Sequence, residues 1–285
     1  MSATTMPALT TPRVTGKYSL ATGKAADHRL AILHQVYGSG TCALLKRAGL
    51  ARGMRVADLG CGVGTVTRDL ARLVGPTGRV VGIDLSSDQL ALARRRLAGI
   101  DVAEVSFVEA SATDTELPEA SFDLVYCRFL LLHLVQPHEA LGEMHRLLRP
   151  RGILVCEDAD LTSAGSEPPS ALDLFAELFG RLGPTRKVDY TLGRRLYHLV
   201  RDAGFVSPQI TYSQPAFASG NRKRLLELSV AEAGDAFVQA GLITREALDA
   251  KLDTMRRLAE DESVLALMPR MAQVWARKAE AHLVI

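Results

Sequence analysis

Met54-Arg55-Val56-Ala57-Asp58-Leu59-Gly60-Cys61-Gly62-Val63-Gly64-Thr65 decides how this chain is read. Val56 to Leu59 is short, apolar and β-tolerant, and glycines at every second position then break it before an amphipathic run begins, so a buried strand turns sharply into a helix. Glycine is needed where backbone takes an unusual φ or lies against a ligand with no Cβ in the way, and the following helix offers unpaired N–H groups at its start. The pattern is that of a nucleotide cradle. A dinucleotide site wants G-x-G-x-x-G, but the sixth position here is Thr65 and the third glycine falls at Gly64. Asp58, at the carboxyl end of the strand, would repel a pyrophosphate. It suits a cationic ligand that carries an amino group and a sulfonium.

Downstream the pattern alternates. Gly75-Pro76-Thr77-Gly78 ends the helix, and Arg79 to Asp84 is the next strand, one crossover beyond the glycine turn. An acid at the end of that strand accepts both hydroxyls of a ribose, which makes Asp84 the expected nucleoside ligand. Ser86 with Gln89 three residues on has a capping-box pattern. Further strands are expected at Val102 to Glu109, Ser121 to Cys127 and Ile153 to Asp158, with helices between them. This alternation predicts an α/β fold with a mostly parallel sheet, helices on both faces and ligands at the carboxyl ends of the strands.

Taken together, the glycine turn with Asp58, the Phe122-Asp123 opening of the fourth strand and the Leu147-Leu148-Arg149-Pro150-Arg151-Gly152 link resemble class I S-adenosylmethionine (SAM) dependent methyltransferases. The closest likeness is to the small-molecule branch, similar to quinone-pathway and natural-product methyltransferases, and it covers about residues 54 to 160. The resemblance implies a Rossmann-like seven-stranded sheet, SAM as cofactor, and cofactor contacts from Asp58, Gly60, Cys61, Gly62, Asp84, Leu85, Gln89, Ser111, Ala112 and Cys127. Ser111 stands where the family carries an acid beside the adenine, and Arg151 where glycine is commoner. An N-terminal helix over SAM would bring Tyr18 and Arg29 to its carboxylate end. Base-flipping methyltransferases place two prolines and an aromatic after the fourth strand; Cys127-Arg128-Phe129-Leu130-Leu131-Leu132-His133-Leu134 lacks them, which favours a small-molecule acceptor.

Methyl transfer from a sulfonium asks for alignment, exclusion of water and, where needed, removal of a proton. His133, a helical turn past the fourth strand, is the candidate general base, because an unperturbed imidazole titrates near neutral pH. Arg128 is the candidate partner for an anionic substrate group or a neighbouring acid. Glu157, Asp158 and Asp160 read as solvated or ion-paired rather than as a metal site, so no metal is expected. Tyr190, Tyr197 and His198 are candidates for the pocket wall.

The flanks complete the plan. At 285 residues, 47% of them apolar, the chain has material for a sizeable core, and a formal net charge of +2 with interspersed signs gives no nucleic-acid footprint. Four scattered cysteines without C-x-x-C spacing fit a reducing cytoplasm, and no apolar run approaches membrane-spanning length. The expected organisation is a tail at 1–13, a two-helix N-terminal cap at 14–50, a SAM-binding core at 51–217, a helical insertion acting as a lid at 218–268, and a last core strand at 269–285. The function read from this is methyl transfer to O, C or N of a small organic molecule, polyketide, phenolic or quinone-like. Alternatives are a SAM-binding cyclase or isomerase on the same fold, or a non-catalytic SAM- or partner-binding module. A monomer and a homodimer are equally compatible with the sequence.

Overall fold

A computed structural model describes residues 24–99 and 102–280. Tyr18, an expected cofactor contact, lies outside the described residues. The strands are, in chain order, β1 (Arg55–Leu59), β2 (Arg79–Asp84), β3 (Glu104–Glu109), β4 (Phe122–Arg128) and β5 (Leu148–Asp160). After them come β6 (Gly165–Glu167), β7 (Val206–Ser213), β8 (Ala216–Phe217), β9 (Leu265–Leu267) and β10 (Arg270–Arg277). The helices are α1 (Lys24–Ala48), α2 (Thr65–Val74), α3 (Ser87–Leu97), α4 (Pro137–Leu147), α5 (Leu174–Arg186), α6 (Leu196–Asp202), α7 (Leu225–Glu232), α8 (Gly234–Gln239) and α9 (Arg245–Leu258).

Seven strands form the central sheet in the order β3-β2-β1-β4-β5-β10-β7. Parallel pairing joins β1 to β2, β2 to β3, β1 to β4 and β4 to β5, while β10 runs antiparallel to both of its neighbours. The expected Rossmann-like sheet is therefore present. Its strand order reverses between β1 and β4, and a cleft opens there at the carboxyl ends, where the two following connections leave in opposite directions. β1 is buried from Val56 to Leu59, as an interior strand covered on both faces must be.

The glycine turn shows why its residues are needed. Gly60, Gly62 and Gly64 have φ of 71°, 53° and 75°, the left-handed region that a side chain disfavours. Gly64 is also the N-cap of α2, and a Cβ there would lie 3.0 Å from that of Ala93 on α3. The small residue lets two helices meet beside the cleft.

Several element boundaries differ from the sequence reading, each for a packing reason. The cap expected as two helices separated at Ser39-Gly40 is the single helix α1. Gly38 is filled by the His34 ring, and Gly40 lets the helix run close to Gln273 on β10, so close packing offsets their poor helix propensity. In the opposite sense, the helix expected over Arg222 to Gln239 breaks into α7 and α8 at Ala233-Gly234, where a Cβ would meet Leu248 of α9 at 3.0 Å. The turn expected at Arg149 to Gly152 survives as an irregularity inside β5: Phe122 pairs with Leu148 but Leu124 with Ile153, and Arg151 adopts φ 64°. A second sheet, in the order β6-β9-β8, was not foreseen; its strands are only two or three residues long and carry no alternating pattern to read.

Gly64→Ala combines a disfavoured φ with contact to Ala93 and Leu97. We expect it to lower stability by about 1–3 kcal/mol, read as a shift in urea midpoint at constant slope.

Candidate active site

The cleft floor is built where β1 and β2 end. The backbone N–H groups of Gly60 and Cys61 both donate to the carbonyl of Ile83, at 2.8 and 3.0 Å, which ties the glycine turn to β2. Asp84 follows directly. Its carboxylate accepts the N–H of Gly62 at 2.8 Å and that of Ser86 at 2.9 Å, one on each oxygen. Burial pushes its pKa up, and the N–H bonds oppose that. Each oxygen keeps a lone pair directed elsewhere, the arrangement a vicinal diol needs. Ser86 caps α3 by accepting the N–H of Gln89, but the reciprocal half of the expected capping box does not form. The Gln89 side chain lies instead under Gly62, with Oε1 2.8 Å from where a Cβ would stand.

Asp58 sits below the turn, fully buried, and accepts the Thr67 hydroxyl at 2.6 Å. Burial pushes its carboxyl up to about 7, although the Thr67 bond and the charge of Arg128 act in the opposite sense. Such an acid gains most from a cation placed beside it.

Above these groups lies one cavity of about 930 Å³. At the nucleoside end it is lined by Gly60, Cys61, Gly62, Asp84, Gln89, Ser111, Ala112 and Leu85, the last 64% exposed although apolar. A leucine bared beside Asp84 is a platform for a flat ring. Ser111 turns its hydroxyl toward that of Thr113, 2.8 Å away, which defines the loop at this rim. Cys127, by contrast, does not line the cavity. Strand alternation puts Tyr126 and Arg128 on the cavity side and Cys127 in the core beside Cys156, so its expected cofactor contact is withdrawn.

Arg128 lines the cavity from the end of β4 and donates to the Thr41 hydroxyl of α1 at 3.1 Å. Arg29, the other expected cation, also lines the cavity, but its guanidinium is paired with Glu232 of α7 at 2.5 Å. His133 stands in a short 3-10 turn (Leu131–His133) against Tyr190, ring centroids 5.8 Å apart. Burial, with the charges of Arg29 and Arg186 adding to it, pushes its pKa down to about 3. This corrects the expectation of an imidazole titrating near neutrality: burial holds His133 in its neutral form.

The carboxylates at the end of β5 have separate partners. Glu157 accepts Tyr126 Oη and Gln273 Nε2, each at 2.7 Å. Asp158 accepts the N–H of Leu131 at 2.8 Å, anchoring the turn that carries His133, and burial pushes it up to about 8. Asp160 pairs with Arg194 at 2.6 Å. Among the described residues no group of three His, Cys, Asp or Glu is arranged to hold a metal ion. Tyr190 lines the cavity; Tyr197 and His198 do not. The sequence reading missed the inner wall, Phe175 and Phe179 of α5 and Leu225, Leu226 and Ser229 of α7, because apolar residues on distant helices carry no local signal of what they face.

A glycine turn with an acid beneath it and a second acid at the end of the next strand is the arrangement on which the resemblance to class I SAM-dependent methyltransferases rests, and the comparisons bear on the same stretch. Residues 57–156 match the family described as "Methyltransferase domain". An uncharacterized methyltransferase of Schizosaccharomyces pombe is 28% identical over 88% of this chain and 87% of that protein. The ubiquinone/menaquinone biosynthesis C-methyltransferase UbiE of Psychromonas ingrahamii is 33% identical, over 44% of this chain and 52% of the enzyme, so this chain spans about half the length of that relative. The phosphoethanolamine N-methyltransferase 2 of Haemonchus contortus, solved with S-adenosyl-L-methionine, shares the fold at a TM-score of 0.55 and 18% identity, covering 91% of this chain and 61% of that one.

The raised pKa of Asp58 has a thermodynamic consequence. Its folded value is about 7 against an ordinary 3.8, so ionising it opposes folding increasingly as pH rises from about 4, and the cost is complete above about 7. Asp58→Asn, which keeps an acceptor for Thr67, should therefore raise stability at pH 8, by roughly 4 kcal/mol at most, and leave it unchanged below pH 4. Urea midpoints at the two pH values check this; a loss of stability at pH 8 would contradict it.

Proposed function

We propose that this chain transfers the methyl group of SAM to oxygen, carbon or nitrogen of a small organic molecule with a phenolic, polyketide or quinone-like body. The observation that carries the proposal is one continuous cavity running from Asp84 and Asp58 to an apolar wall on α5 and α7. At about 930 Å³ it lies at the upper end of the range for small-molecule sites, roughly 300–1,000 Å³. That leaves room for donor and acceptor side by side, which a purely SAM-binding module would not need. The relationship to UbiE supports a quinone-like acceptor, since that relative is a quinone-biosynthesis C-methyltransferase.

SAM supplies an already activated methyl group. In this proposal the chain's own residues do the rest. Asp84 holds the ribose, Leu85 and the Ser111 to Thr113 loop flank the adenine, and Asp58 and Arg128 receive the amino and carboxylate ends. Neutral His133, held by the Asp158-anchored turn, orients the acceptor by hydrogen bonding, while α1, α5 and α7 exclude water. No helix among the described residues is long and apolar enough to cross a membrane. The free state of Cys42, Cys61, Cys127 and Cys156 supports a reducing, cytoplasmic setting.

Calorimetric titration with S-adenosylhomocysteine, beside the same titration of Asp84→Ala, tests the donor site. Incubation with methyl-labelled SAM and a panel of hydroxylated aromatics and quinols tests transfer. We expect micromolar binding, at least tenfold weaker in the variant, and label in an extractable small product. A folded wild-type protein that binds no S-adenosylhomocysteine would overturn the proposal.

A further inference from the structure

We infer that the methyl acceptor is an acid: an apolar, preferably aromatic molecule carrying one anionic group that Arg186 receives. The inference rests on the acceptor reading of the inner cavity and deepens it.

The inner wall is aromatic and rigid. Phe175 and Phe179 pack with their rings tilted by 43° and centroids 4.7 Å apart, and Phe179 meets Tyr190 edge-on at 5.5 Å and Phe237 at 5.2 Å. A wall braced in this way selects a flat or bulky apolar body. Three arginines line the same cavity, and they differ in what they face. Arg29 is neutralised by Glu232, both side chains at most 7% exposed, in a pair that joins α1 to α7. Arg128 is bonded to Thr41 and stands near enough to Asp58 for its charge to lower that acid's pKa.

Arg186 is the third. It is the last residue of α5, and Lys187, at φ 58°, turns the chain there so that Val188 and Tyr190 continue the cavity wall. The hydroxyl of its neighbour Thr185 is spent on the Leu182 carbonyl at 2.8 Å. Among the described residues no carboxylate pairs with the Arg186 guanidinium, although the residue is half-buried and lines the cavity. Its charge is felt at His133, the residue placed beside the acceptor.

A guanidinium partly withdrawn from water and left without a counter-charge is costly unless a ligand brings one. Its planar fork matches a carboxylate or sulfonate bidentately. A C-terminal arginine also complements the helix dipole, and that purely structural role predicts no preference between an acid and its ester. The two roles are separable by experiment.

The protein, saturated with S-adenosylhomocysteine, is titrated calorimetrically with 2-naphthoate and with methyl 2-naphthoate, which share one aromatic body. We expect the acid to bind about tenfold more tightly than the ester, the range of one charge-assisted pair. Arg186→Gln should erase that difference by weakening the acid alone, and Arg186→Lys should restore part of it. Arg181→Gln, on the exposed side of the same helix and paired with Glu177 at 3.3 Å, should change neither ligand. Retained S-adenosylhomocysteine binding reports that each variant is folded. Equal binding of acid and ester by the wild type, equal loss of both in Arg186→Gln, or no naphthoate binding would overturn the inference. A failure of S-adenosylhomocysteine to bind would instead contradict the donor site, and the acid-against-ester comparison stands with or without it.

Discussion

The hydrogen bonds that Gly62 and Ser86 donate to the Asp84 carboxylate are the constraint on which the rest of the cleft depends. They join the turn after β1 to the turn after β2, so the floor of the site belongs to two adjacent parallel strands and moves with neither alone. Left-handed backbone at residues 60, 62 and 64 shapes that turn, and the absence of a Cβ lets Leu130, Gln89 and Ala93 pack directly against it. The same geometry sets where α2 and α3 begin. From Asp84 the cavity continues to the end of β4 and to a wall supplied by α1, α5 and α7.

Electrostatics around that floor follow from burial more than from pairing. Asp58 and Asp158 are pushed up to about 7 and 8, and His133 down to about 3, each chiefly by removal from water. Asp158 and His133 thereby favour their neutral forms, and Asp58 is left near the midpoint of its titration. In the proposed reading the cavity takes ligands that bring their own charges, an ammonium toward Asp58 and carboxylates or other anions toward Arg128 and Arg186. Fixed dipoles and a dry wall then act without reorganising during the reaction.

Much of this was legible in residues 54 to 160 because the signals there are local. The glycine spacing, Asp58 and Asp84 at strand ends and the apolar runs between them each follow from backbone geometry within one βαβ unit. Residues whose duty depends on distant elements were less legible. Cys127 looked like a rim residue from its position at a strand end, but one step of alternation turns it into the core. His133 was placed near the cleft by its spacing, yet its basicity depends on burial and on Arg29 and Arg186, which sequence does not position. Phe179, Arg186 and Leu226 lie on helices far along the chain, and only the fold brings them to the same cavity. At the break between α7 and α8, Gly234 is packed closely against Leu248 of α9, a neighbour that the local sequence does not reveal.

The most direct test of the central claim, that one cavity holds donor and acceptor side by side, is a crystal structure of the protein with S-adenosylhomocysteine. The account predicts ribose hydroxyls on Asp84, adenine against Leu85, and the sulfur facing open space bounded by His133, Tyr190 and Phe179. A ligand seated elsewhere, or one whose sulfur faces solid protein with no space beside it, would contradict the account.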